Sequence, residues 1–305
     1  PFNGVILITQ NGKETYSNVK GYSDFKKKRK LKINDQFVIG SISKQFTAVL
    51  VLREFDKGNL DLSKPIQEYL PELKQSWADT VSVHHLLTHM HGIVALDKPA
   101  SFKVGTQYSY SQIGYDLLAK IIEKTSGKRF TELSKNLIEE CGMKSTFHPE
   151  IKEYRNLVKG YTEIENGKID LETESLQNYP AAGAFLSTAE DLAIWNQLFY
   201  SGKLLRQETM KMLETKQQGA VRNHPIFGMT QYGYGITIDT NDGILQLGQT
   251  GFAPGFVSMS YYFPKTKTAV IVLENIAYDT YDLKKTFSYH TAILKIIRNE
   301  IKKLD

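Results

Sequence analysis

Ser41 and Lys44 combine the residue types and the spacing of a nucleophile with its base. They lie in FVIGSISKQFTAVLVLREFDKG, residues 37–58, where the serine starts an apolar segment and the lysine follows three positions later. Residues three apart share a helix face, so the two side chains can meet. Burial among apolar side chains disfavours the charged form of a lysine and lowers its pKa toward that of a useful base. Ser-x-x-Lys at a helix start is therefore the pattern of an acyl-transferring serine enzyme.

A structural alternative also fits these two residues. The same spacing occurs at two other places, Ser17/Lys20 and Ser23/Lys26. A serine at a helix start is a common N-cap, and a lysine can bury its stem while its ammonium stays in water. In the catalytic interpretation, the helix start offers unpaired backbone N–H groups and a dipole that favours a developing oxyanion. The surrounding sequence has to separate these two interpretations.

The elements that position these residues begin with strands and continue with helices. Two strand-like runs flank Asn11-Gly12 and predict a hairpin. The helix predicted from Ser41 to Lys57 is apolar nearly all the way round, which is typical of a buried helix, and Gly58 is suited to end it. Helical spacing or a capping box marks further segments at 83–90, 113–125, 129–140 and Ser187-Thr188-Ala189-Glu190.

Strand-like sequence returns in the last third of the chain and predicts the fold class. Paired runs flank residues 241–243 and residues 264–267, and a helix closes the chain. The order predicts an α+β fold with one antiparallel sheet built from both chain ends, flanked by helices, and an inserted, mostly helical lobe. We expect a single domain over 1–305, with a sheet lobe of about 1–58 and 181–305 and a helical lobe of about 59–180. A site is expected between the lobes.

Composition and charge narrow the range of partners. The 305 residues are 41% hydrophobic, so a sizeable core is available. The formal net charge is +5 and is spread along the chain, apart from the basic run Lys26–Lys30, which we interpret as a solvated loop. We therefore expect no nucleic-acid partner. No apolar stretch reaches the roughly 18 residues of a membrane span, so stable membrane insertion is not expected either.

The histidines and the cysteine do not predict a metal centre. Four histidines fall close together, at positions 84, 85, 89 and 91. His85 and His89 share a helix face, but no carboxylate or cysteine nearby completes the three or four ligands that a zinc site needs. Cys141 is the only cysteine, so an internal disulfide is impossible. We expect no metal and no organic cofactor.

Six segments in a fixed order carry a resemblance to a known family. They are FVIGSISKQFTA, GNLDLSKPIQEYLPEL, VHHLLTHMHGI, YSYSQIGYDLLAKIIEKTSGKRF, AAGAFLSTAEDLAIW and LGQTGFAPGF. Together they resemble the serine β-lactamase and penicillin-binding protein superfamily, in its class C-like branch of esterases, peptidases and lactamases. The resemblance spans nearly the whole chain. It implies a β-lactamase/transpeptidase-like fold and a single catalytic domain without a cofactor.

The resemblance implies roles for individual residues. Ser41 corresponds to the nucleophile and Lys44 to the base or proton shuttle of the first motif. The second motif of the family is Tyr-x-Asn and falls on Tyr110-Ser111-Gln112, so Tyr110 is implied to pass a proton to the leaving group. Gln112 replaces the asparagine and has a stem one methylene longer, which still allows it to contact Lys44 and a substrate carbonyl.

The third motif of the family is Lys-Thr-Gly or His-x-Gly on an inner strand, and it falls on Gln249-Thr250-Gly251. Glycine suits this place because the substrate has to approach the strand backbone closely. The resemblance implies that the backbone N–H groups of Phe252 and Ser41 hold the oxyanion. Gln249 cannot carry charge, so recognition of an anionic substrate here would depend on an arginine or lysine from another loop.

The resulting expectation is a β-lactamase-related serine hydrolase that forms an acyl-enzyme on Ser41. Its partner is a small-molecule acyl substrate, which the sequence narrows to an ester, an amide, a D-peptide or a β-lactam, with esterase or peptidase activity favoured over efficient β-lactamase activity. The alternative from another class is a catalytically weakened penicillin-binding or sensor domain that retains the fold, and a non-hydrolytic acyltransferase is a third possibility. The resemblance favours a periplasmic or extracellular location and leaves a cytoplasmic one open. The oligomeric state is not indicated.

Overall fold

The computed structural model describes residues 1–151, 156–164, 167–173 and 180–304. The strands are β1 Gly4–Gln10, β2 Lys13–Lys20, β3 Tyr22–Asp24, β4 Arg29–Lys30, β5 Phe37–Val38, β6 Tyr161–Glu163, β7 Ile169–Leu171, β8 Leu186–Ser187, β9 Val221–His224, β10 Gly228–Tyr232, β11 Thr237–Asp239, β12 Gln246–Ala253, β13 Phe256–Phe263, β14 Thr268–Glu274 and β15 Ile276–Ala277. The helices are α1 Ser43–Asp56, α2 Val83–Leu87, α3 Ile113–Ser126, α4 Phe130–Glu140, α5 Pro180–Gly183, α6 Ala189–Tyr200, α7 Gln207–Glu214, α8 Leu283–Thr286 and α9 Ser288–Lys302.

One antiparallel sheet joins the two chain ends. Its eight strands lie in the order β2-β1-β14-β13-β12-β11-β10-β9, so the first hairpin of the chain pairs with a strand from the last third. The turn of that hairpin uses Asn11 and Gly12 with φ values of 52° and 73°, which asparagine and glycine tolerate better than other residues. The predicted α+β architecture with a sheet drawn from both ends is confirmed. The lobe boundaries near residues 58 and 180 stay predictions.

Helix α1 runs through the protein interior. All its residues from Ser43 to Leu52 are buried, as its all-round apolar pattern predicts. The Phe46 ring packs edge-on against Trp195 at 4.5 Å and Phe185 at 5.2 Å between ring centroids. Burial of one such side chain stabilises the fold by about 1.5–3 kcal/mol. A helix held on all sides gives Ser41 and Lys44 a rigid support.

Local signals define the other helices that border the site. Helix α3 begins directly after Gln112 and ends at Gly127, whose φ of 69° is the left-handed value that glycine favours at a helix end. The N-cap of α6 is Thr188, whose side chain accepts the N–H of Asp191. The capping box predicted at Ser187 is therefore one residue too early, because the Ser187 hydroxyl is bonded to Thr146 instead.

Two further features concern the apolar helices and the cysteine. No helix in the described ranges is long and apolar enough to cross a membrane. Cys141 is buried at the end of α4, and burial raises the pKa of its thiol to about 11, so the thiol stays protonated at neutral pH.

Candidate active site

Ser41 lies in a short 3₁₀ turn, Gly40–Ile42, that leads directly into α1. An internal hydrogen bond stabilises the turn, since the Ser43 hydroxyl donates to the Gly40 carbonyl at 2.7 Å. Gly40 has a φ of 52°, and a Cβ there would lie 2.5 Å from the backbone nitrogen of Phe252. Only glycine lets the turn and strand β12 approach this closely. The backbone of Phe252 is thus brought beside the Ser41 turn, where a second oxyanion donor is expected.

Lys44 is completely buried one turn into α1. Its Nζ lies 3.2 Å from Ser41 Oγ, 2.6 Å from Gln112 Oε1 and 2.8 Å from the Ala182 carbonyl oxygen. Burial lowers the pKa of the Lys44 amine, and the nearby Tyr110 partly opposes that shift. The amine is therefore held by two fixed acceptors with its third position directed at the serine hydroxyl, and it can take a proton from that hydroxyl.

Tyr110 lies beside the same amine and beside the guanidinium of Arg222. Lys44 Nζ is 4.6 Å from the centroid of the Tyr110 ring, and the Arg222 guanidinium carbon is 4.7 Å from it. Burial alone would raise the pKa of the phenol, but Lys44 and Arg222 more than offset burial, and the net effect is a lowered pKa. Proximity to Ser41 adds to the lowering. A phenol of this kind is a better proton donor to a leaving group than an ordinary tyrosine.

His89 holds the segment that carries Tyr110. Its backbone carbonyl accepts the N–H of Ser109 at 2.8 Å, and its ring Nδ1 accepts the N–H of Ser111 at 3.2 Å. The ring also packs against Tyr110 with centroids 4.5 Å apart. Burial keeps the pKa of His89 well below its ordinary value, so the ring is neutral and Nδ1 is free to accept. From the sequence, the four histidines are considered as possible metal ligands. In the structure, His89 instead holds the backbone on both sides of Tyr110 in the second motif.

Gln112 precedes α3 and turns its amide toward Lys44. Its Oε1 accepts from Lys44 Nζ at 2.6 Å, as the resemblance implies for the asparagine it replaces. The longer stem therefore still reaches the lysine. With the oxygen bonded to Lys44, the NH₂ end of the half-buried side chain is the part that can donate to a substrate carbonyl.

Strand β12 lines the site with a backbone edge that β11 does not cover. The two strands pair only over Gln246–Gly248 of β12, so residues 249–253 lie beyond that ladder. A Cβ on Gly251 would lie 2.1 Å from the Ile39 carbonyl oxygen. The glycine is thus required by close packing inside the protein, and its role in substrate approach stays a prediction. The Thr250 hydroxyl lies 3.5 Å from His224 Nε2, and the Phe252 side chain is 40% exposed.

Gln249 is fully buried, and both ends of its amide are bonded inside the protein. Its Nε2 donates to the Tyr232 hydroxyl at 3.0 Å, and its Oε1 lies 3.3 Å from the Thr237 hydroxyl and 3.4 Å from Arg222 Nη1. A cation from β9 therefore lies beside the uncharged third-motif residue. Arg222 is a residue of this site that the sequence did not reveal, because nothing in the spacing of residues 110, 222 and 249 indicates that they meet.

The arrangement of the histidines and carboxylates bears on whether the protein could hold a metal ion. Among residues 1–151, 156–164, 167–173 and 180–304, no group of three or more histidine, cysteine, aspartate or glutamate side chains is arranged to hold a metal ion. His85 is engaged locally, since its Nδ1 accepts the backbone N–H of Ser82 in a capping box at the start of α2. His84 Nδ1 lies 2.8 Å from the Tyr234 hydroxyl.

Comparison with known proteins places the chain in a family. A family model described as Beta-lactamase matches residues 3–292. The chain belongs to the beta-lactamase family. This beta-lactamase family member is 25% identical over 325 residues to the Beta-lactamase of Providencia stuartii, covering 88% of this chain and 81% of that relative. It is 26% identical over 254 residues to the Teichoic acid D-alanine hydrolase of Staphylococcus aureus strain MRSA252, covering 76% of this chain.

The chain spans 60% of the length of the staphylococcal relative. A solved structure of the D-amino acid amidase from Ochrobactrum anthropi SV3 superposes with a TM-score of 0.85 over 98% of this chain and 94% of the amidase, at 22% identity, which establishes the shared fold. The recognised superfamily and its β-lactamase/transpeptidase-like fold are thus confirmed. The named relatives support hydrolysis by a serine enzyme as the general activity of this family member.

Proposed function

We propose that this beta-lactamase family member is a serine hydrolase that forms an acyl-enzyme on Ser41. In the first step Ser41 Oγ attacks the substrate carbonyl and its proton passes to Lys44. The C–O or C–N bond of the substrate then breaks, and the leaving group takes a proton through Tyr110. Water adds to the acyl group in the second step, which releases the acid and restores the Ser41 hydroxyl. The N–H groups of Ser41 and Phe252 hold the oxyanion in both steps.

One observation carries the proposal. The Lys44 amine is completely buried, lies 3.2 Å from Ser41 Oγ and has a lowered pKa. In the capping alternative a lysine would extend its ammonium to water, and this one does not. Ser41 is also no ordinary N-cap, since no side-chain capping bond is present at either the 3₁₀ turn or α1.

For the substrate, we favour D-alanyl esters over β-lactams. The staphylococcal relative is named as a D-alanine hydrolase, and the region of similarity covers 76% of this chain. Efficient β-lactam turnover is disfavoured because the amide of Gln249 is already bonded to Tyr232 and Thr237, and the neighbouring Arg222 guanidinium is directed at Gln249 and the Tyr110 ring. An ester with a small leaving group does not need such a contact.

The test compares matched substrates on the wild-type protein and a Ser41→Ala variant. D-alanine p-nitrophenyl ester, its L-enantiomer, p-nitrophenyl butyrate and nitrocefin are assayed side by side. We expect turnover of the D-alanyl ester to exceed that of the L-ester about tenfold or more, slow nitrocefin turnover, and no activity above background in Ser41→Ala.

The outcomes separate the alternatives. Efficient nitrocefin turnover, or equal rates on the two alanyl esters, would refute the substrate assignment while leaving the serine mechanism intact. A penicillin adduct that forms on Ser41 and persists for hours without turnover of any ester would instead identify a penicillin-binding or sensor domain. Full ester turnover by Ser41→Ala would refute the mechanism.

A further inference from the structure

Arg222 is a half-buried cation at the candidate active site, and within the part of the chain that the structure describes it has no anionic partner. It lies on β9, and among the described residues no carboxylate forms an ion pair with it. Burial of an unpaired charge is costly, and such groups are found where function requires them. An arginine here therefore calls for an explanation.

Among the described residues, the guanidinium contacts neutral groups. Its Nη1 lies 3.4 Å from both Thr237 Oγ1 and Gln249 Oε1, distances at the long end for hydrogen bonds. Its carbon lies 4.7 Å from the centroid of the Tyr110 ring. A cation over a tyrosine face is favourable by about 0.5–2 kcal/mol, which alone does not compensate for burying a charge.

The neutral residue Gln249 in the third motif offers a reason for the charge of Arg222. In the motif that this segment resembles, the first residue is a lysine or a histidine, whereas Gln249 is neutral and fully buried. Arg222 bonds to the amide oxygen of Gln249 itself and reaches Tyr110 from the same place. A lysine at position 249 would put a second cation at this contact, so a neutral residue at 249 and an arginine at 222 fit one another.

We propose that Arg222 is a positioning residue that supplies from β9 the positive charge absent at Gln249, and that this charge acts on the Tyr110 hydroxyl during proton transfer. The proposal rests on the proposed function in so far as Tyr110 serves the leaving group. The positive charge that the third motif of the family usually carries would then lie on β9 in this protein, and not on β12.

The surroundings of Tyr110 support this role. The groups that face the phenol from the elements around it are Lys44 on α1, Ser41 in the 3₁₀ turn, Arg222 on β9, and the rings of His89, Tyr108, Tyr115 and Tyr232. The His89 ring is neutral, and burial raises the pKa of Tyr115 and Tyr232 well above its ordinary value, so these groups carry no charge at neutral pH. Lys44 and Arg222 are therefore the two basic groups that lower the pKa of Tyr110.

The variants isolate the charge from the shape. Arg222→Met keeps an unbranched stem without the charge, and Arg222→Gln is a second neutral variant that can still hydrogen-bond to Gln249 and Thr237. Arg222→Lys keeps the charge. The double variant Arg222→Met/Gln249→Lys returns a cation to the third-motif position, and the exposed Arg206→Met is the matched control.

The first measurement reads the phenol directly and needs no turnover. Protein labelled with ¹³Cζ-tyrosine is titrated by NMR, and the resonance missing from Tyr110→Phe identifies Tyr110. We expect ionisation of Tyr110 to move to higher pH in Arg222→Met and Arg222→Gln, and to return toward the wild-type position in Arg222→Lys and in the double variant. An unchanged titration in both neutral variants would overturn the proposal.

The second measurement separates an effect on Tyr110 from contact with substrate. Phenyl acetate and 3-carboxyphenyl acetate form a neutral and anionic pair of esters. We expect both neutral variants to lose about tenfold or more in kcat on both esters, with KM nearly unchanged and with the pH profile displaced as in the titration. A loss confined to the anionic ester, with an unchanged profile on phenyl acetate, would mean that Arg222 binds a substrate anion and would overturn the proposal.

Failure of the proposed function is distinguishable from failure of this inference. If wild-type Ser41 accepts no acyl group, the proposed function fails, while the NMR titration still decides whether Arg222 controls the Tyr110 hydroxyl. If the wild type is active and Arg222→Met, Arg222→Gln and Arg206→Met all match it, the inference fails alone.

Discussion

Replacement of Lys44 by methionine tests the base and the burial of its amine together. Methionine keeps most of the apolar stem and removes the proton acceptor 3.2 Å from Ser41 Oγ. Loss of a general base typically costs 10²–10⁴-fold, so we expect kcat to fall by at least about a hundredfold. The exposed helical Lys211→Met is the matched control and should leave kcat unchanged.

The structure also sets the expected effect of Lys44→Met on stability. The variant leaves the Ala182 carbonyl and Gln112 Oε1 without their lysine donor, at a cost of about 1–3 kcal/mol for each acceptor that stays unsatisfied. This cost is opposed at neutral pH, because folding no longer has to bury an amine whose pKa is lowered by desolvation.

The sign of the pH dependence follows from the lowered pKa of Lys44. Between the lowered pKa of Lys44 in the folded protein and the ordinary lysine pKa of 10.5, the unfolded chain binds a proton at Lys44 that the folded chain does not. The free energy of unfolding of the wild type therefore rises with pH across this window, and Lys44→Met lacks that rise. The destabilisation caused by Lys44→Met should grow as the pH increases from 7 toward 10.

Urea unfolding followed by the fluorescence of the buried Trp77 and Trp195 measures this difference at each pH. A difference between Lys44→Met and wild type that is the same at every pH would contradict the desolvated state of the amine. Retained turnover in Lys44→Met would refute its role as a base and leave it a structural residue.

Three further predictions concern the groups around the site and the sheet. Gly40→Ala should lower kcat about a hundredfold or more, because its Cβ would push strand β12 away from the Ser41 turn, whereas Gly127→Ala, with open space around it, should leave kcat unchanged and cost only about 1–2 kcal/mol. His89→Ala should lower kcat about tenfold with little change in KM. His89→Asn should recover part of the lost kcat, since asparagine tolerates the φ of 59° and offers a hydrogen-bond acceptor. Equal kcat values in the two variants would contradict the positioning role of His89. Burial raises the pKa of Glu274 to about 8, so the stability it contributes is complete below pH 4.5 and is lost as the pH rises through 8. Glu274→Gln should therefore flatten the fall of the free energy of unfolding with pH, measured by denaturant unfolding. An unaltered pH profile would refute the raised pKa of Glu274.

Much of the fold follows from local sequence. Asn11-Gly12 can adopt the positive φ values of a tight hairpin turn, and the long strands β13 and β14 are continuous runs of residues with high strand propensity. The all-round apolar pattern of α1 predicts its central position, because such a helix has no face suited to water. By contrast, β9 and β10 carry exposed and polar residues without alternation, and the sequence analysis did not predict them.

The candidate site likewise has contacts that local sequence predicts and contacts that it does not. Ser41 and Lys44 are close in sequence on one helix, so their contact is a local property that spacing predicts. The contact of Arg222 with Tyr110 and Gln249 depends on how the β9–β10 hairpin folds back, and no local pattern encodes it. Gly251 shows a third case, since the structure adds a close approach by the Ile39 carbonyl that no local pattern indicates, while the predicted approach of substrate stays a prediction.

The most direct test of the central claim is the mass of the intact protein after exposure to a fluorophosphonate, followed by peptide mapping of the adduct. We predict a single addition per chain that maps to Ser41, is absent in Ser41→Ala and forms much more slowly in Lys44→Met. An adduct on Ser17, Ser23 or Ser109, or equal labelling of Ser41→Ala, would contradict Ser41 as the nucleophile.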